Sequence, residues 1–241
     1  MPASAKTSAF GFLIAKAYGG DTIVVSPTTL NDVLHVLKDA SRGQTAREIE
    51  PLLFNDGPQQ RIVAESGDIR LSSGNAIWID PRYHSTSDFE RLFQSKYHGT
   101  IVRSTFANGD GQRAIAAWIT RLSGGDLHGF ALPATTRAVV ANITTFHGVR
   151  KLKVDPRRTE AESFNGIHGR QVVQMMTLES DIPYHQDGFG QTIALDYAGP
   201  YRMLLFLPAH RDEPPLATFL AHGADVSLET GTFLLNCLAC I

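Results

Sequence analysis

Apolar residues recur at helical spacing through the first half of this chain and cluster in short dense runs through the second. Phe10, Leu13, Ile14 and Ala17 fall at i, i+3, i+4 and i+7, so Ser8 to Tyr18 predicts a helix with one apolar face. After Gly19-Gly20, the run Thr22 to Val25 predicts a short strand. Ser26-Pro27 then offers a capping hydroxyl followed by a proline suited to the first helical position. Leu30, Val33, Leu34 and Leu37 mark the face of that next helix, predicted to stop near Gly43. Thr45 and Glu48 stand at capping-box spacing, which predicts a third helix starting there and shortened by Pro51.

Residues 55–68 are polar and bear Gly and Pro, as a loop or a reduced helix would. Leu71 to Ile79 predicts a strand containing Trp78, and Asp88 to Tyr97 a helix with Phe89, Leu92, Phe93 and Lys96 at helical spacing. Asn108 to Gly111 predicts a turn before a helix over Gln112 to Leu122, with Ile115, Trp118, Ile119 and Leu122 on one face. Beyond residue 137 the pattern changes. Ala138 to Phe146, Arg170 to Leu178, Gln191 to Tyr197 and Tyr201 to Leu207 are rich in β-branched and aromatic residues and bounded by Gly or Pro. Helices first and strands later, without regular alternation, predict an α+β fold rather than a doubly wound parallel sheet.

Composition narrows the picture. A chain of 241 residues that is 43% hydrophobic and 19% charged is long and apolar enough to bury a sizeable core, which excludes a disordered or collagen-like chain. Its 22 basic and 24 acidic residues give a net charge of −2, so the overall balance gives no reason to expect nucleic acid as a partner. The longest uncharged apolar runs, Met203 to Ala209 and Thr232 to Ile241, are too short to cross a bilayer, and no membrane partner is expected. Phe10 to Ala17 is interrupted by Lys16, which argues against a secretory signal.

Candidate chemistry is sparse. No phosphate-cradling Gly-rich loop, dinucleotide fingerprint, His-Glu-x-x-His or Gly-x-Ser-x-Gly run occurs, and no cofactor is expected. The nine histidines are scattered singly, each read as a surface or packed residue. Cys237 and Cys240 form a Cys-x-x-Cys without a second pair, read as two ordinary cysteines near a frayed end rather than as a redox pair or half a metal site; no metal is expected. Asn142-Ile143-Thr144 fits the N-glycosylation pattern but falls inside a predicted strand, where a glycan has no room.

Ser26-Pro27-Thr28-Thr29-Leu30, then Ala40 to Thr45 and Glu48-Ile49, resemble the serpins, the suicide-type serine protease inhibitors. The resemblance continues, in order, through Gly74-Asn75-Ala76-Ile77-Trp78, Phe93 to Tyr97, Phe106, Ile115 to Trp118 and Ser123 to Leu127. Its strongest stretch runs from Val139-Val140-Ala141-Asn142 to Phe146-His147-Gly148, then Asp155-Pro156, Thr159, Phe164, Met175-Met176, Tyr184, Leu195-Asp196-Tyr197 and Met203 to Pro208. It covers about residue 8 to about residue 220 of what is expected to be a single partial serpin domain over 1–241, with 221–241 a divergent tail.

The resemblance implies helices packed on a large sheet A with parts of sheets B and C. It also implies a polar cluster beneath the large sheet that governs its opening, to which Ser26, Thr29 and Asn142 correspond. The plainer alternative makes Ser26 a helix cap and Asn142 a satisfied strand residue. Three positions depart from the family pattern: Arg150 stands where a tryptophan is usual, Val154 replaces a phenylalanine, and Ala116 replaces an asparagine.

Resemblance fades after Leu216 to Ala221 and assigns no residue here to the last strands of the large sheet, the reactive loop or the closing strand pair. The expectation is therefore a serine-type endopeptidase inhibitor by family, with a serine or cysteine protease as partner, but unable to trap one as this chain. Sheet edges left open near Val139 and Ile143 would favour self-association or marginal stability. A binding protein that captures an extended peptide on such an edge is the alternative, and a small enzyme ranks last. The family is commonly secreted, whereas this N-terminus carries no convincing export signal, and the compartment stays open.

Overall fold

The computed structural model describes residues 24–53, 64–66, 68–166, 169–210 and 229–238, with Gly11, Leu13, Ile14, Ala17, Tyr18, Thr218 and Phe219. The chain divides into two compact units, Met1–His147 and Gly148–Ile241.

In the first unit, Gly11, Leu13, Ile14, Ala17 and Tyr18 are helical, while the rest of the helix expected over Ser8 to Tyr18 lies outside the described residues. Of the described positions on the expected face, Leu13 and Ala17 are exposed and Ile14 is half-buried, while Gly11 is buried with its backbone against the Pro27 ring. Of the strand expected at Thr22 to Val25, Val24 and Val25 are described, neither in a strand, and Val24 is 97% exposed.

Helix α1, Pro27–Ala40, begins as its sequence dictates, with Ser26 Oγ accepting from Thr29 N at 3.4 Å. It ends before Gly43, because Ser41 turns extended and its Oγ donates to the Lys38 carbonyl at 2.9 Å. Gly43 instead opens α2, Gly43–Ile49, whose cap position is Arg42 with no side-chain cap bond. The expected capping box is thus inside the helix, where Glu48 is engaged by Gln44 (2.7 Å). Pro51 sits in a short 3-10 turn, Glu50–Leu52.

Strand β1, Ala64–Ser66, pairs antiparallel with the start of β2, Ile69–Ile79, where a loop or reduced helix was expected. Helix α3, Ser87–Tyr97, is capped by Thr86 and stopped by His98 in the left-handed region (φ 48°). Strand β3, Thr100–Arg103, then runs parallel to β2 with Ala76 opposite Thr100. Helix α4, Asp110–Ser123, lies between Gly109 and Gly124, both at positive φ. Strand β4, Ala138–Gly148, pairs with β2 and extends two residues past the expected end at Phe146.

The alternation of β2 creates two cores. Ala76 and Trp78 face α4, joining Phe106, Ile115, Ile119 and Ile143. Ile77 and Ile79 face the other way, with Val36 of α1 and Phe93 and Tyr97 of α3. The first unit is therefore a sheet sandwiched between α4 and the α1/α3 pair. Trp78 is 1% exposed and meets Trp118 edge-on at 5.2 Å; its indole nitrogen is a buried donor without an acceptor among the described residues.

The second unit is an antiparallel five-stranded sheet of β5, Thr159–Gly166, β6, Gly169–Gln186, β7, Gly190–Asp196, β8, Arg202–Pro208, and β9, Glu229–Leu238. Spatial order is β5-β6-β7-β8, with β9 also on β6, over a core of Ile182, Ile193 and Leu195. Strand β6 is twice the length expected from Arg170 to Leu178, since β5 and β9 pair along different parts of it. Cys237 lies within β9 opposite Met176, so the stretch read as a frayed end is in register with a sheet; Cys240 lies outside the described residues.

Candidate functional site

The N-terminal turn of α1 and the middle of β4 meet through side chains 115 residues apart in sequence. Ser26 Oγ donates to Thr29 Oγ1 at 2.8 Å, Thr29 Oγ1 to Thr144 Oγ1 at 3.1 Å, and Thr144 Oγ1 to Asn142 Oδ1 at 3.4 Å. Asn142 Nδ2 then donates to Asn75 Oδ1 on β2 at 2.8 Å, and Asn75 Nδ2 to the Tyr97 carbonyl at the end of α3 at 2.9 Å. All these hydroxyls and amides donate in one direction, an arrangement in which each bond polarises the next. Ser72 and Thr145 hydroxyls, 2.7 Å apart, add a second rung between β2 and β4.

The relay is closed on itself through α1. Tyr97 Oη donates to Asp39 Oδ2 at 2.7 Å, and Lys96 Nζ reaches the same oxygen at 2.8 Å. Burial pulls the Asp39 carboxyl upward, but the hydrogen bonds from Lys96 and Tyr97 and the charges of Lys96 and Lys38 outweigh it and hold it below its ordinary range. Burial first, then the bond to Asp39 and the nearby Asp39 and Asp32 charges, push the Tyr97 phenol above its ordinary range. Helix α1 is therefore fastened at its start to β4 and at its end to α3.

Ser26, Thr29 and Asn142, singled out from the sequence, thus stand in one hydrogen-bonded chain, with Ser26 and Asn142 joined through Thr29 and Thr144 rather than directly. Asn142 is half-buried, not enclosed, so its amide is partly accessible to water. Sequence reasoning missed Thr144, Asn75 and Asp39. A signal existed for Thr144: it follows Asn142 by two, the repeat that returns a strand residue to the same face. Asn31, Asp32 and His35 are also buried on α1, a polar stripe in a helix whose expected face was Leu30, Val33, Leu34 and Leu37.

Ala116 packs close to Gly129 in the segment after α4: a Cβ built on Gly129 would lie 2.5 Å from Ala116 Cβ. Arg150 forms an isolated bridge with Tyr197 at the end of β7. Among the described residues no group of three or more His, Cys, Asp or Glu is placed to hold a metal ion, and no helix is long and apolar enough to cross a membrane.

This sheet with helices on both faces, followed by an antiparallel sheet, matches known proteins. The family described as serpin (serine protease inhibitor) matches residues 5–223, and the chain belongs to it. Serine protease inhibitor A3N of Rattus norvegicus is 27% identical over 207 residues, covering 77% of this chain and 50% of the relative. Serine protease inhibitor 42Dd of Drosophila melanogaster is 24% identical, covering 81% of this chain and 58% of the relative. The chain thus spans about half the length of these curated relatives. Among solved structures, loop-cleaved lamprey angiotensinogen gives a TM-score of 0.81 at 17% identity over 98% of this chain and 78% of the other. Human thyroxine-binding globulin complexed with thyroxine gives 0.83 at 21% identity, over 98% and 71%. The fold is the serpin α+β fold, and these chains extend beyond the part matched here.

Proposed function

We propose that this chain carries the sheet frame of a serine protease inhibitor, and that Ser26, Thr29 and Asn142 belong to the fastening that governs opening of the β2–β4 region. The relay from Ser26 to the Tyr97 carbonyl supports this reading, because it ties α1, β4, β2 and α3 together through residues that no local rule would bring into contact. A serine or cysteine protease is the partner that family membership favours. No residue from 1 to 241 corresponds, by resemblance, to the reactive loop, so these residues tested alone are read as non-catalytic and unable to trap a protease. Incubation with a panel of serine proteases tests this: no SDS-stable adduct is expected, and a covalent band at the combined mass contradicts it.

One observation favours a second reading, capture of an extended peptide. Among the described residues β4 pairs with β2 alone, which leaves its other row of N–H and C=O groups open to strand addition. A similar fold carries thyroxine in thyroxine-binding globulin, so ligand binding has a counterpart among the neighbours. Extended peptides that raise the melting temperature of the chain favour this reading; peptides without effect exclude it.

A further inference from the structure

Between α4 and β4 the chain is anchored at two points and loose between them. Ser123 Oγ accepts from Leu127 N at 3.0 Å and lies 3.4 Å from the Leu127 carbonyl, to which it donates, while Gln112 Oε1 accepts from Leu132 N at 3.2 Å. His128, Gly129, Phe130 and Ala131, between those anchors, make no backbone hydrogen bond among the described residues. Leu127 to Pro133 lies in neither helix, strand nor turn, and every residue from Gly124 to Ala131 is exposed. Gly129 rests against Ala116 of α4, and Phe130 beside it is 53% exposed.

The other exposed aromatic residues are held by their backbones. Tyr18 is helical and Phe146 lies in β4. Tyr83 N donates to the Asp80 carbonyl at 2.9 Å, and the Tyr83 carbonyl accepts from Arg103 at 3.1 Å. Phe189 N donates to Asp187 Oδ1 and its carbonyl accepts from Ala209 N, both at 2.8 Å. Among the described residues, Phe130 is thus the one exposed aromatic residue whose own N–H and C=O stand open to an incoming partner.

We infer that Phe130–Ala131 is a cleavage site for a protease whose primary pocket takes an aromatic side chain. An extended segment is gripped through its main-chain hydrogen bonds, and the side chain before the cut fills the pocket that selects the bond. Residues 128–131 supply the free backbone and Phe130 the side chain. Hydrolysis adds one water across the amide, leaving a carboxylate on Phe130 and an amino group on Ala131. Neighbouring bonds fit less well. Leu132–Pro133 has no N–H and a fixed proline ring, and Leu132 is tethered to Gln112. No Lys or Arg occurs from Gly124 to Thr136, so an enzyme selecting a basic residue finds no bond there. The site lies between α4 and β4, apart from any reactive loop, and its cleavage requires no trapping of the protease.

The test is limited digestion of the full 241-residue chain by a catalytic amount of chymotrypsin in native buffer, followed by mass spectrometry and N-terminal sequencing. The first products should be residues 1–130 and 131–241, the second beginning Ala131-Leu132-Pro133. Phe130→Ser should slow loss of the intact chain about tenfold or more, since it empties the selecting pocket. Phe130→Tyr should be cut at the same bond, which separates loss of the aromatic ring from a change in the fold. A first cut elsewhere, at Tyr83 or Phe189 for example, overturns the inference. So does equally fast digestion of Phe130→Ser, or many simultaneous cuts such as global unfolding would give.

Discussion

Asn142 shows how much one side chain can join. Its carbonyl oxygen accepts from Thr144 and its amide donates to Asn75, so either truncation leaves a partner short of a bond. Because both asparagines are half-buried, water can partly replace the lost contact, and Asn142→Ala or Asn75→Ala should each cost about 0.5–1.5 kcal/mol. The two should be non-additive in a double-mutant cycle of chemical denaturation, since they remove one shared bond. Additive costs would mean that the amides do not act together.

Asp39 sets a pH dependence of definite sign. Its carboxyl is held below the ordinary value of 3.8, so its contribution is fully present above that pH and lost as pH falls through the lower native value. Asp39→Asn should therefore be less stable than the parent at neutral pH, with the difference shrinking below about pH 4. Other carboxylates, among them Asp155 and Asp196, are also held low, so both proteins lose stability in acid. Only the difference between them isolates Asp39.

At the level of elements, the packing of α4 and the segment after it depends on small residues. A Cβ on Gly74 would approach Leu122 Cδ1 to 2.6 Å and Trp118 to 3.3 Å, so β2 admits the helix closely at that point. Ala116 admits Gly129 in the same way. Ala116→Asn should thus destabilise by about 1–3 kcal/mol through overpacking. A neutral or stabilising effect in thermal melts would show that the segment can move aside.

The elements legible in the sequence were mostly those with an apolar period set by burial; α1 is the exception, because it buries Asn31, Asp32, His35 and Val36 while Leu37 of its expected face is exposed. Helices α1, α3 and α4 and strands β2, β4, β7 and β8 were all expected close to their observed ends. Strands β1, β3, β5 and β9 were missed; the residues of β1 and β5, such as Thr159-Glu160-Ala161-Glu162, carry no apolar alternation and are set by pairing to a neighbour. The capping box at Thr45 failed because the helix began two residues earlier, at Gly43. In the site, Ser26 and Asn142 were accessible through motif resemblance, whereas Asn75 and Asp39 acquire partners only when α1, β2 and α3 meet.

At the scale of the molecule, the chain forms two compact units, and the first carries the β4 edge. Val139 and Ile143, expected to make the β4 edge sticky, instead pack into the core beside α4. What β4 leaves open among the described residues is its backbone, and backbone pairing needs no apolar side chain. We expect the chain to self-associate with rising concentration, read by light scattering. A monodisperse monomer with a single cooperative melt would contradict that.

Amide hydrogen exchange along Ala138–Gly148 tests most directly whether this sheet ends at an open β4 edge secured by the polar relay. The account predicts alternating slow and fast amides, those paired to β2 slow and those facing away fast, with Asn142→Ala accelerating the slow set before global unfolding. Uniform protection along β4, or exchange that Asn142→Ala leaves unchanged, would contradict it.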